Sequence, residues 1–248
     1  MPTLLQHESI DQILLCHSNN ATKFEYNHPK VQNIDAIQAN NDMGLSLRFH
    51  FCRQAKNEWV MMIDDDQEMT KLAIDELLTE FATNPRRIVG RYGRQYNYWQ
   101  YFLRNGYNTY TYLEHVEVVL TKFMIHEQHL CNSFFQYAPL VDDLIPYSSP
   151  KWNAEDIFMS LTANHVYEVP PNGPYNNYAM PLDVWEASDT YQESGVTTHG
   201  ASISGNTDRI NHLNPLVYLA AFLRATLHCR YRGSLWYHAK KRLAELNE

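Results

Sequence analysis

Trp59-Val60-Met61-Met62-Ile63-Asp64-Asp65-Asp66 is an apolar run of strand length that stops at three carboxylates. A strand without internal charge fits the centre of a mostly parallel sheet, where helices cover both faces. Ligands of such sheets collect at the carboxyl ends of the strands, which is where the triplet falls. Three adjacent like charges repel unless a cation sits among them, and their hard oxygens suit Mg2+ or Mn2+ better than zinc. The same residues also read as a solvated acidic turn that opens the next helix, since Asp is common at helix starts.

Upstream, Ile13-Leu14-Leu15-Cys16 reads as a short buried strand and His17-Ser18-Asn19-Asn20 as the polar loop at its end. A further strand is expected within residues 31–37. Asn40-Asn41-Asp42 looks like a helix start, with the helix over 43–55, although Leu45, Leu47, Phe49 and Phe51 alternate more than an ideal helix would. Downstream, Leu72, Ile74, Leu77, Leu78 and Phe81 have helical spacing over 70–83, and Asn84-Pro85 stops the helix. Ile88-Val89-Gly90 leaves it as a strand. Strand, helix, strand, helix, strand in this order predicts a parallel α/β sheet with right-handed crossovers.

The character changes after residue 92. Residues 92–112 are aromatic, polar and β-prone, and 117–123 continue as a strand. Helices are expected at 127–135 and 155–164, and Val166-Tyr167-Glu168-Val169 as a short strand before Pro170-Pro171. Residues 170–205 read as one long loop, of the kind that is usually functional. Helices at 210–227, with Pro215 as a break, and 235–246 close the chain. With no convincing linker, the chain reads as one domain over 1–248, in two halves, 1–92 and 93–248.

A net charge of −8 argues against nucleic acid as the main partner, because nothing neutralises a phosphate backbone. The 17 Tyr and 5 Trp offer faces that suit sugar rings, although core packing accounts for most such residues. Cys16, Cys52, Cys131 and Cys229 are scattered without metal-type spacing, which favours free thiols in a reducing compartment and a cytoplasmic location. No apolar run of spanning length or signal peptide is present, so no membrane span is expected. The sequon Asn20-Ala21-Thr22 reads as a chance match.

A second acidic landmark is Trp152-Asn153-Ala154-Glu155-Asp156-Ile157-Phe158-Met159-Ser160. Glu155 and Asp156 open a helix, where the dipole alone would favour acids. Taken singly, Arg209 and His199 read as ordinary surface residues. The order is more telling. The Asp triplet, the run Val118-Val119-Leu120-Thr121-Lys122-Phe123-Met124-Ile125, the Glu155-Asp156 segment, and Ser194-Gly195 followed by Arg209 occur together in one known family. Over roughly residues 4–232 the chain resembles the exostosin-like glycosyltransferase domain, most of all the distant members from large DNA viruses of algae (chloroviruses). Those members are similar to xylosyltransferases.

That resemblance implies a GT-A (Rossmann-like) fold with a mostly parallel central sheet flanked by helices, a UDP-sugar donor, a glycan acceptor, and Mn2+ or Mg2+. It places Asp66 on the metal, Asp64 and Asp65 on the ribose and sugar, Asn19 and Asn41 on the nucleotide, and Arg209 near the diphosphate. Asp156 falls on the acid nearest the reacting centre, beside Glu155. It is a general base if configuration inverts, and an acceptor-positioning or charge-stabilising group if configuration is retained. Three departures matter. The chain starts near the end of the family's first helix, at Leu4-Leu5-Gln6-His7, so the first strand is either absent or the form is shortened. Ser46 stands where an arginine is expected, with Arg48 as the substitute. Residues 93–112 do not match the animal enzymes, whose acceptor is therefore not carried over. Two other readings stay open: a metal-dependent phosphohydrolase on the same Asp cluster, and a non-catalytic glycan-binding protein.

Overall fold

The structure, a computed structural model, describes residues 1–18, 25–96, 107–108, 115–116, 118–144, 155–169 and 176–186. In chain order these form α1 (Pro2–Gln6), β1 (Ile13–His17), β2 (Val31–Asp35), α2 (Ile37–Met43), a 3-10 turn (Gly44–Ser46), α3 (Leu47–Cys52), β3 (Trp59–Ile63) and β4 (Gln67–Met69). They continue as α4 (Lys71–Thr83), β5 (Val89–Gly90), β6 (Gly93–Tyr96), β7 (Tyr107–Asn108), β8 (His115–Val116), β9 (Val118–Val119) and β10 (Phe123–Glu127). The last described elements are α5 (His129–Leu144), α6 (Glu155–Val166), β11 (Asn177–Ala179) and β12 (Val184–Glu186).

The central sheet runs β3-β10-β5-β11-β8. It is mixed, which corrects the expectation of a mostly parallel sheet. β10 lies antiparallel to both β3 and β5, and β11 antiparallel to β8; within this sheet only β5 and β11 run parallel. β1 and β2 do pair in parallel, as a separate two-stranded sheet. The reason for the miss is physical. An apolar strand reports that both its faces are covered, and not the direction of its neighbours.

Both faces of β3 and β10 are indeed covered, in strict alternation. Val60, Met62 and Met124 face a core with Phe49, Leu130, Phe134, Phe158 and Met159 from α3, α5 and α6. Met61, Ile63, Phe123 and Ile125 face a second core with Leu4, Ala73, Ile74, Leu77 and Phe81 from α1 and α4. The period of two that defines a strand therefore sorts side chains between two helical layers. Between β5 and β10 the approach is so close that a Cβ on Gly90 would lie 2.6 Å from the Phe123 carbonyl oxygen and 2.5 Å from Val119 Cγ1.

Helix α4 forms as its periodicity predicts. Thr70 caps it, its hydroxyl oxygen accepting the Ala73 N–H at 3.1 Å. The helix expected over 43–55 is displaced and divided. It begins at Ile37, whose N–H is taken by the Asp35 carboxylate at 3.2 Å, and breaks at buried Gly44, where φ is 54°. The alternation of Leu45, Leu47, Phe49 and Phe51 has its cause here. Phe49 faces the α5–α6 core, whereas Leu47 and Phe51 pack against Ala36, Cys16 and Ile34 under β1 and β2, so α3 is buried on two sides.

Residues 166–169 are not a strand. They finish α6 with helical hydrogen bonds from Tyr167 and Glu168 N–H to Ala163 and His165 carbonyls. Glu168 then turns the chain at φ 54°, the left-handed geometry of a helix stop. The loop expected over 170–205 contains β11 and β12. β11 is a central strand, anchored by buried Asn177, whose side-chain oxygen accepts the Ile88 N–H at 3.3 Å. Cys52 and Cys131 are joined as a disulfide with Cα atoms 6.4 Å apart, against the expectation of free thiols, and Cys16 is free. Spacing could not show this, because α3 and α5 are brought together only by the sheet. The helices expected at 210–227 and 235–246 lie outside the described residues, and no described helix is long and apolar enough to cross a membrane.

Candidate active site

β3 ends where its ladder with β10 ends. The Asp64 N–H still donates to the Lys122 carbonyl at 2.9 Å, and then Asp65 and Asp66 turn the chain into β4, closed by the Gln67 N–H on the Asp64 carbonyl at 3.2 Å. The triplet thus occupies a tight reversal at the strand end, and its three carboxylates differ in setting. Asp65 is exposed, while Asp64 and Asp66 are half-buried.

Asp64 accepts a charge-assisted hydrogen bond from Arg48 Nη1 at 2.7 Å. Arg48 projects from α3, and its Nε donates to the Leu45 carbonyl at 3.3 Å, which orients the guanidinium. Asp66 accepts from Gln67 Nε2 at 2.8 Å through one oxygen, and its other oxygen stands 3.9 Å from Lys122 Nζ. The Gln67 side-chain oxygen in turn accepts the Tyr92 hydroxyl at 2.7 Å.

Helix α6 brings the second acidic landmark to the same place. Glu155 is only 5% exposed, and the Thr121 hydroxyl donates to its carboxylate at 3.3 Å. Two further bonds fix the helix to the sheet: Val119 N–H to Ser160 Oγ at 3.2 Å, and Asn177 Nδ2 to the Ser160 carbonyl at 3.4 Å. Asp156, next along the first turn, is half-buried. Burial by itself would lower the Arg48 pKa. The nearby charges of Asp64, Glu155 and Asp156 outweigh it and hold the guanidinium above its ordinary value.

One arginine therefore feels both acidic landmarks, although they are about ninety residues apart in sequence. The Thr121-Lys122 turn ahead of β10 joins them as well, since it touches Glu155, Asp66 and the Asp64 backbone. Thr121, Lys122, Gln67 and Tyr92 were not singled out by the sequence reading. Thr121 and Lys122 do carry a signal, as the polar pair that interrupts the apolar run 118–125.

Of the other expected site residues, Asn41 sits exposed on α2, outside these contacts. Asn19, Arg209 and His199 lie outside the described residues. Among the described residues the cluster has more carboxylates than cations: Asp64, Glu155 and Asp156 act on Arg48, Asp66 lies by Lys122, and Asp65 is exposed beside them. Such an excess suits a divalent cation with oxygen donors. Among the described residues no three carboxylate oxygens converge at the triplet, so a cation there would need oxygens from a bound ligand too.

No curated protein matches the chain. A model of the glycosyl transferase family 64 domain matches residues 3–218, a span that takes in β3, the Asp triplet, the Thr121-Lys122 turn and the start of α6. A strand-end acidic turn facing an acidic helix start across one half-buried cation is thus part of a domain that transfers sugars, and the chain belongs to glycosyl transferase family 64.

Proposed function

We propose that the protein moves a sugar from a UDP-sugar to a hydroxyl group of a glycan acceptor, with a divalent cation, Mn2+ or Mg2+, at Asp66. The observation that carries this reading is the Arg48–Asp64 bond at 2.7 Å, on a guanidinium that the charges of Glu155 and Asp156 also act upon. It supports a single site in which one acidic landmark serves the donor and the other the acceptor. The fold we infer is of the GT-A type, and the exostosin-like resemblance of the motifs supports it. Xylose as the transferred sugar rests on that resemblance alone.

In this reading Asp66 is the protein ligand of the cation, and Asp64 and Asp65 hold the ribose and the sugar. When bound, the cation neutralises charge on the departing diphosphate. Lys122, near Asp66, adds a fixed positive charge on the same side. Arg48 orients the Asp64 carboxylate through its hydrogen bond. Glu155 is buried on Thr121 and positions the first turn of α6. Asp156, more open, takes the acceptor hydroxyl proton as the acceptor oxygen attacks the sugar from the face opposite the diphosphate.

Among the described residues, the lack of three converging carboxylates favours this over a phosphohydrolase. A cation held by one or two carboxylates and the oxygens of a substrate diphosphate needs no all-protein cage. The test is UDP release from a panel of UDP-sugars, with Mn2+ and with chelator. Chelator-sensitive turnover of one donor is expected. Asp156→Asn should keep UDP binding and lose most transfer, on the order of 100-fold or more for a general base. Asp66→Ala should lose Mn2+-dependent UDP binding. Full transfer by Asp156→Asn, or no binding of any UDP-sugar by the unaltered protein, overturns the reading.

A further inference from the structure

At the other end of β10 lies a cluster that the proposed active site does not use. One ligand atom each from Cys52, His126 and Cys131 lie within 4.8 Å of one another, and all three residues are buried. Cys52 ends α3, Cys131 lies in the first turn of α5, and His126 projects from β10 between them. The His126 Nδ1–H donates to the Glu127 carbonyl at 2.8 Å. A carbonyl can only accept, so Nε2 carries the bare lone pair of the neutral ring. That Nε2 is fully buried and has no hydrogen-bond partner.

A buried acceptor left unmatched is costly. A disulfide offers it no proton. Two thiolates and an imidazole nitrogen, by contrast, are the donor set of zinc, and a metal-bound His usually gives its other N–H to a carbonyl or carboxylate, as His126 does. Two thiolates also cancel the charge of one Zn2+, so the complex can be buried as a neutral unit.

We propose that Cys52, Cys131 and His126 form a zinc site in the thiol form of the protein, and that the disulfide is the metal-free state of the same site. A dithiol reductant supplies the two electrons and two protons that open the S–S bond, and itself ends as a disulfide. Zn2+ then replaces the two thiol protons, which pass to solvent, and takes the His126 Nε2 lone pair. The fourth position is left to water, since no fourth His, Cys, Asp or Glu joins the cluster among the described residues.

The site is separate from the acidic one. His126 pairs with Val60 in the ladder, whereas Asp64 follows Ile63, so the two sites are roughly 14 Å apart along the strand. Their chemistries differ too: soft sulfur and nitrogen here, hard oxygen there. In both states the cluster ties α3, the helix that carries Arg48, to α5, and the metal-bound state adds β10 through His126.

Cobalt is the probe, because thiolate ligands give Co2+ an intense charge-transfer band in the near ultraviolet. The unaltered chain is divided into a dithiothreitol-reduced sample, freed of reductant without air, and a diamide-oxidised one. The reduced sample should bind one Co2+ with the thiolate band, which Zn2+ abolishes by displacement, and the oxidised sample should show no band. His126→Gln, reduced, should bind at least about tenfold more weakly, while Asp66→Ala should keep the band. No thiolate band in the reduced chain overturns the proposal. So does an undiminished band in the Cys52→Ser, Cys131→Ser double variant, because it would come from Cys16 or Cys229. If either variant fails to fold, the reduced and oxidised forms of the unaltered chain decide.

Discussion

The bond between Arg48 and Asp64 is the contact on which the geometry of the candidate site turns, and its strength follows from where the two side chains sit. The nitrogen and oxygen are 2.7 Å apart, with Arg48 24% and Asp64 16% exposed. Charge centres about 4 Å apart attract by roughly 4 kcal/mol at an effective dielectric near 20. Partial burial strips water from both groups and offsets about half of that. Residual solvent access trims it a little further, which leaves a coupling of roughly 1.5–2 kcal/mol. A double-mutant cycle over Arg48→Met and Asp64→Asn, read by urea unfolding at low ionic strength, isolates this pairwise quantity. Each single exchange should destabilise. Arg48→Met should do so more, because it also leaves Glu155 and Asp156 without the cation they share with Asp64. The coupling should persist in high salt, since part-buried pairs are weakly screened. A coupling below about 0.5 kcal/mol would mean an ordinary surface pair, and the idea of one cation organising both landmarks would fail.

Three further outcomes follow from the packing. Gly90→Ala should destabilise by about 1–3 kcal/mol or more, because the new methyl meets the Phe123 carbonyl, which the sheet holds in place; an unchanged melting temperature would contradict the close approach of β5 and β10. Thr70→Ala removes the cap of α4 and should cost about 1 kcal/mol, restored by Thr70→Ser but not by Thr70→Val. Burial pushes the Cys16 thiol up to about 11, with Arg48 pulling the other way. The thiolate is the reactive form, so at pH 8 alkylation of Cys16, followed by peptide mass spectrometry, should run about a hundredfold slower than for a free thiol. Its rate should keep climbing past pH 9 while the fold lasts, and labelling at the free-thiol rate at pH 8 would refute the assignment.

Much of the first half was legible because its signals are local. The periodicity of Leu72, Ile74, Leu77 and Phe81 and the stop at Asn84-Pro85 are signals of one helix, and α4 forms where they put it. Direction and pairing were not legible. The apolar run 59–63 shows two-sided burial, yet its neighbour in space is β10, about sixty residues later and antiparallel. β11 was missed because Asn177-Tyr178-Ala179 carries no strand pattern of its own. Its place is set by Asn177, which reaches across to Ile88 and Ser160. The Cys52–Cys131 bond was missed for the same reason, since two helix ends distant in sequence meet only after the sheet is built.

The two acidic landmarks show what kind of information a sequence holds about such a site. Each alone has a bland explanation, a solvated turn or the acidic first turn of a helix, and neither carries a signal of the other. What joins them is a pair of residues with no motif of their own. Arg48 stands two places from the position where an arginine was expected, and Thr121-Lys122 is a turn between strands. The turn is hydrogen-bonded to Asp64 through its backbone and to Glu155 through its Thr121 hydroxyl, so its shape is tied to the sheet at one end and to α6 at the other. A substitution at Thr121 should therefore move Glu155 and, through it, Asp156, without touching any group assigned to the donor. Thr121→Val keeps the shape and removes the hydroxyl, which leaves a buried carboxylate oxygen without its donor. Transfer should fall while Mn2+-dependent UDP binding stays. If both fall together, the two landmarks are coupled through Arg48 rather than through the turn; if neither changes, the Thr121 hydroxyl does not position α6, and other contacts, those of Ser160 and Asn177 among them, hold it.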